Sequence, residues 1–233
     1  MLYMAPPVDL PPPPETPELP PEVTISGEEE VFFPADGLTL QGLGRFPEGA
    51  ERAVVLCHPH PLYGGTMHNA VVVVLAKALA ELGSRVATLR FNFRGVVKSG
   101  GRYDAGRAEV LDARGALAEV RRHLPRAKIS MAAYSFGTGV AYRAAAADGD
   151  VERVSLVAPS MRMTKIELAP FRGLVQIVAP GRDQFSSPED TKALAEQFGA
   201  ALSVIPDADH YFIRFRREVA RLVVPFVAPE PSS

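Results

Sequence analysis

Six apolar runs of strand length, separated by stretches with helical spacing, leave this chain few folds to choose from. The runs are "AVVLCH" (53–58), "VATLRFN" (86–92), "ISMAAY" (129–134), "RVSLVAP" (153–159), "GLVQIVA" (173–179) and "ALSVIP" (201–206). Helical candidates fall near 68–83, 105–124, 136–147 and 188–199, with a last one near 211–227. Strands this apolar must be covered on both faces, which predicts an α/β fold: a mostly parallel central sheet with helices on both sides. Upstream, "EEEVFFPADGLTLQGLGRF" (28–46) alternates apolar and polar residues about Asp36-Gly37, the pattern of two antiparallel strands and a tight turn.

The chain has 233 residues, 47% of them hydrophobic, enough for one well-buried core. Nine of its 22 prolines lie between Pro6 and Pro21. Residues 1–22 therefore read as a proline-rich flexible tail, 23–228 as the folded domain and 229–233 as a short C-terminal tail. "PPPP" (11–14) also fits a proline-recognising protein partner, although a flexible tail explains it more simply. The net charge of −2 creates no field that would draw in nucleic acid or an anionic membrane. "AVVVVLAKALAEL" (70–82) is interrupted by Lys77 and falls short of the roughly 20 residues that span a bilayer. With a single cysteine, Cys57, and no basic, apolar leader at the N-terminus, the expected setting is cytoplasmic.

Sheets of this kind react at the carboxyl ends of their strands, and the unusual residues cluster in the loops that follow those ends. "AAYSFGTG" (132–139) puts Ser135 between a strand and a helix. A serine there is also a good helix N-cap, so the residue alone leaves both readings open. A serine nucleophile needs a base and a group to orient that base. Asp183 and His210 follow later strands, giving the chain order Ser, Asp, His of a nucleophile-elbow hydrolase. In this reading Ser135, His210 and Asp183 form a catalytic triad, with Asp207 and Asp209 as competitors for the acid.

"CHPHPLYGGTMHN" (57–69), "LRFNFRG" (89–95) and "YSFG" (134–137) resemble segments of the small, capless bacterial α/β-hydrolases related to dienelactone-hydrolase-like and serine-aminopeptidase-like enzymes. The resemblance runs from about Glu51 to Val227. It implies an oxyanion hole built from the backbone N–H of Phe136 and one from the loop after the first parallel strand, Leu62 or Tyr63. Two positions depart from the family pattern. Ala133 stands for the first glycine of GxSFG, and Val97 for a glycine of FNFRGVGxSxG, so a turn needing positive φ there is expected to change shape.

Other signals have plainer readings. The spacing of His58, His60 and His68 invites a zinc site, but no carboxylate lies within the motif, and structural loop histidines are preferred. No metal or cofactor is expected. Cys57 reads as a small buried hydrophobe, Arg94 as a loop brace, and "IRFRREVAR" (213–221) as the solvated face of a terminal helix with Phe212, Phe215, Val219 and Leu222 inward. The segment 160–172 is too short for a full helical lid, so a shallow, accessible site is expected, with Met161, Met163 and Phe171 either lining an acyl pocket or packing as cover. The resulting expectation is a serine carboxylesterase acting on small or exposed esters. Peptidase, amidase or acyltransferase chemistry on the same triad stays open, as does a non-catalytic binding scaffold.

Overall fold

The computed structural model describes residues 12–160 and 170–230. Among them, the hairpin β1 (Glu29–Ala35) and β2 (Leu38–Arg45) turns at Asp36 and Gly37, both with positive φ (50° and 74°), as a tight hairpin turn requires. The remaining strands are β3 (Arg52–Cys57), β4 (Val86–Phe91), β5 (Lys128–Tyr134), β6 (Val151–Val157), β7 (Leu174–Pro180) and β8 (Ala201–Ile205). They form one sheet in the order β1-β2-β4-β3-β5-β6-β7-β8, antiparallel at β1/β2 and β2/β4 and parallel throughout the rest. The predicted α/β architecture, including the two antiparallel N-terminal strands, is the one observed.

Helices α1 (Ala70–Ala80) and α5 (Arg216–Val227) cover one face, packing Val71, Leu75, Val219 and Val223 on Val54, Leu56, Ala132 and Tyr134. Helices α2 (Glu109–His123), α3 (Phe136–Asp148) and α4 (Pro188–Phe198) cover the other, against Val55, Cys57, Met131 and Ala133. Alternate residues of each central strand thus point into opposite cores, which is why those runs are predominantly apolar. Among the described residues each predicted helix is found near its predicted place, but two start late. Ala105 and Gly106 have positive φ ahead of α2, and Phe212 (φ 49°) does so ahead of α5. Phe212 is fully buried before that helix begins, whereas Phe215 and Leu222 are half-buried.

The order β4-β3-β5 places the topological switch at β3. Cys57 is in register with Ala133, so the loops leaving β3 and β5 emerge side by side. Residues 12–22 carry no helix or strand. The arm meets the domain at Val23, whose N–H donates to His68 Nδ1 (3.0 Å) and whose carbonyl accepts from Arg90 Nη2 (2.5 Å). Arg90 is fully buried and forks onto Glu28 at 2.6 and 2.8 Å, a charge pair that is satisfied on all sides.

Candidate active site

Ser135 sits between β5 and α3 with φ 54° and ψ −120°, a conformation that a side-chain-bearing residue adopts only when its surroundings impose it. The surroundings are visible. Its N–H donates to Val157 O (2.9 Å), and its carbonyl accepts from Thr138 N–H (3.0 Å) and Thr138 Oγ1 (2.5 Å). A Cβ on Gly137 would lie 2.5 Å from His58 O, so that position tolerates only glycine. Ala133, by contrast, points its methyl into the α2/α3 core and is 1% exposed. The family's first glycine is dispensable here because the close approach occurs after the serine, not before it.

Although Ser135 occupies the N-cap position of α3, its side chain makes no capping bond. Its Oγ lies 2.9 Å from His210 Nε2. On the other side of the imidazole, Nδ1 is 3.0 and 3.1 Å from the two oxygens of Asp183. The His210 and Asp183 side chains are 4% and 3% exposed. Asp207 instead pairs with Arg182 at the surface, and Asp209 accepts the Tyr211 N–H, so neither competitor is seen on the ring. Three aromatic contacts that the sequence reading did not anticipate hold the base. Tyr134 donates its hydroxyl to His210 O (2.8 Å), and the Phe185 and Tyr211 rings meet the imidazole edge-on at 4.6 and 5.7 Å.

The loop after β3 makes a turn of 3-10 helix at Pro61–Tyr63 beside Phe136. Both proposed donors in it are engaged within the turn: Leu62 N–H with His60 Nδ1 (3.2 Å), Tyr63 N–H with His60 O (3.1 Å). Because Nδ1 accepts, the proton of the neutral ring is on Nε2, which donates to the Tyr103 hydroxyl at 3.0 Å. Burial pushes His60 down to about 4 and the Tyr103 phenol up to about 12, so both stay neutral. His58 is buried and, mainly through that burial, lowered to about 3; it accepts from Phe93 N–H (3.0 Å) and donates to Pro59 O (2.7 Å). His68 accepts the Val23 N–H. All three histidines of the motif therefore brace loops. Arg94 does the same, forking onto buried Asp112 at 2.7 and 3.0 Å and reaching Asp36 at 3.2 Å.

Two further expectations are corrected or relocated. Val97 keeps a positive φ of 49°, so the turn retains the glycine-like shape in spite of its β-branched residue. Met161 and Met163 lie outside the described residues, while Phe171 packs on Tyr142 (6.0 Å). Cys57 is fully buried, and desolvation raises its thiol well above the usual range. Among the described residues, no helix is long and apolar enough to cross a membrane.

The chain is 34% identical to an α/β serine hydrolase homologue from Coxiella burnetii, with a TM-score of 0.76, covering 88% of this chain and 100% of that one. The chain belongs to the α/β-hydrolase superfamily. Within this superfamily it is similar to an α/β serine hydrolase without a lid from Xanthomonas campestris (26% identity, TM-score 0.80, 91% and 100% of the two chains). An uncharacterized protein of Rickettsia prowazekii is 33% identical over 180 residues, 71% of this chain and 73% of that protein. No protein-family model matches the chain. Its likeness to these serine hydrolases supports a hydrolase.

Proposed function

We propose that the chain is a metal-independent serine carboxylesterase that cleaves small or exposed esters through an acyl-Ser135 intermediate. The observation that carries this reading is the unbroken hydrogen-bond chain from Ser135 Oγ through His210 to Asp183, at a serine whose backbone is strained and whose side chain caps nothing. As Oγ bonds to the ester carbonyl carbon, His210 Nε2 takes the hydroxyl proton, and Asp183 stabilises the imidazolium through Nδ1–H. The developing oxyanion is met by the Phe136 N–H at the head of α3, where the helix dipole favours negative charge. Leu62 supplies the second donor. Its N–H now makes a long bond to a neutral imidazole, a partner that a charged oxygen displaces. Collapse expels the alcohol, which takes its proton from His210. Water then attacks the acyl carbon with His210 again as base, releasing the acid and restoring Ser135.

The test is intact-mass analysis after exposure to a fluorophosphonate, with Ser135→Ala as control. One adduct that the variant loses, together with turnover of p-nitrophenyl acetate, is the expected result. No adduct on folded protein would overturn the reading, and turnover of amides in preference to esters would move it to amidase chemistry.

A further inference from the structure

A cleft of about 580 Å³ opens beside the 3-10 turn, between the proline-rich arm and the loops after β3 and β4. Pro13 and Leu19 line it from the arm, Leu62 from the turn, and Val96, Val97 and Tyr103 from the loop after β4. Leu19, Leu62 and Val97 are large apolar side chains left 50%, 38% and 50% exposed, gathered at one place on the surface. The arm is seated closely there. Gly64, at φ 77°, packs so tightly beneath it that an added Cβ would come within 2.6 Å of Glu18 O, and Val23 is anchored by His68 and Arg90. Val97 faces the cleft from a backbone conformation that costs a β-branched residue strain.

We propose that the arm is one wall of the acyl-chain subsite, which takes uncharged, medium-length acyl groups. The inference rests on the acyl-Ser135 reading above. The alcohol must leave beside His210 Nε2, and His210 and Asp183 come from the loops after β8 and β7. The cleft lies on the opposite flank of Ser135, over β3 and β4, which is where the other substituent of the carbonyl must extend. Leu62 belongs to both places, and Tyr103 of the lining packs against Phe136 (5.7 Å), so the groove borders the oxyanion turn. Its ionic groups do not select a charge: Arg94 is bound by Asp112 and Asp36, while Glu15 and Arg102 in the lining are of opposite sign.

The experiment compares kcat/KM of the full chain for p-nitrophenyl acetate, butyrate, hexanoate and octanoate. Each methylene buried is worth up to about fourfold, so the hexanoate-to-acetate ratio should reach about tenfold or more. Leu19→Asp and Val97→Asp should each cut that ratio by about fivefold, because a carboxylate in the groove opposes chain burial. Leu19→Met should retain it, as should Val204→Asp, an exposed change on the far edge strand β8. A wild-type ratio of one or below, or ratios in both Asp variants equal to wild type, would overturn the subsite while leaving acetate turnover and fluorophosphonate labelling in place. Loss of labelling and of acetate turnover in wild type would overturn the subsite together with the esterase reading.

Discussion

His210 Nδ1 lies within 3.1 Å of both oxygens of Asp183, and Asp183 Oδ1 also accepts the Phe185 N–H at 2.8 Å. The carboxylate is therefore oriented by the backbone of its own loop before it orients the imidazole. Asp183→Asn retains an acceptor for Phe185 but no longer enforces the tautomer that leaves Nε2 free to take the serine proton. A drop in kcat of about 10³- to 10⁴-fold on p-nitrophenyl acetate is expected, with thermal unfolding within a few degrees of wild type. A loss under tenfold would mean that another acid orients His210.

The elbow is asymmetric in its demand for small residues. Gly137→Ala would drive a methyl to 2.5 Å from the His58 carbonyl and 3.1 Å from that of Cys57, and should abolish labelling of Ser135 or prevent folding. Ala133→Gly removes a buried methyl from a strand and should cost about 1–2 kcal/mol of stability while kcat stays within about twofold. Denaturation curves and turnover of the pair separate the two positions.

Strain at Val97 predicts an opposite result for stability. Replacing it by glycine relieves a left-handed conformation worth about 1–2 kcal/mol, which in a chain of 233 residues raises Tm by about 2–8 °C. An unchanged or lower Tm in scanning calorimetry would show that the turn stores no strain.

His58 and His60 set an acid-side dependence of stability. Both rings protonate near 6.5 when unfolded, but burial lowers them to about 3 and about 4 in the folded chain. Below pH 6.5 the unfolded chain binds protons that the folded one refuses, so this contribution is complete above 6.5 and is lost as pH falls toward 4 and then 3. Urea midpoints measured from pH 7 to 4 should fall more steeply for wild type than for His58→Gln, which offers one acceptor and one donor without titrating. Comparing the two proteins removes the opposing effect of buried Glu109 and Asp112, whose carboxyls are raised by burial. Parallel curves would exclude His58 as a source.

The alternation of apolar runs and helical stretches determined the sheet, its two helical covers and the N-terminal hairpin, because burial on both faces leaves a periodicity in the residues themselves. Chain order likewise proposed Ser135, Asp183 and His210, since each follows a strand whose carboxyl end faces the same edge of the sheet. Distance along the chain says nothing about contacts across strands, and those were decided by tertiary structure. The Cys57 and Ala133 register brings the HPHP turn beside the elbow, and it shows that the intolerant small position is Gly137. Chain order preferred Asp183 to Asp207 and Asp209, and the folded chain brings the Asp183 carboxylate to the ring while Asp207 and Asp209 bind elsewhere. Composition reads residues 1–22 as a proline-rich flexible tail, and that sequence has no hydrophobic period to announce the contact between Glu18 and Gly64. Its seat on Gly64 depends on the space a missing side chain leaves, a property of the folded surface alone.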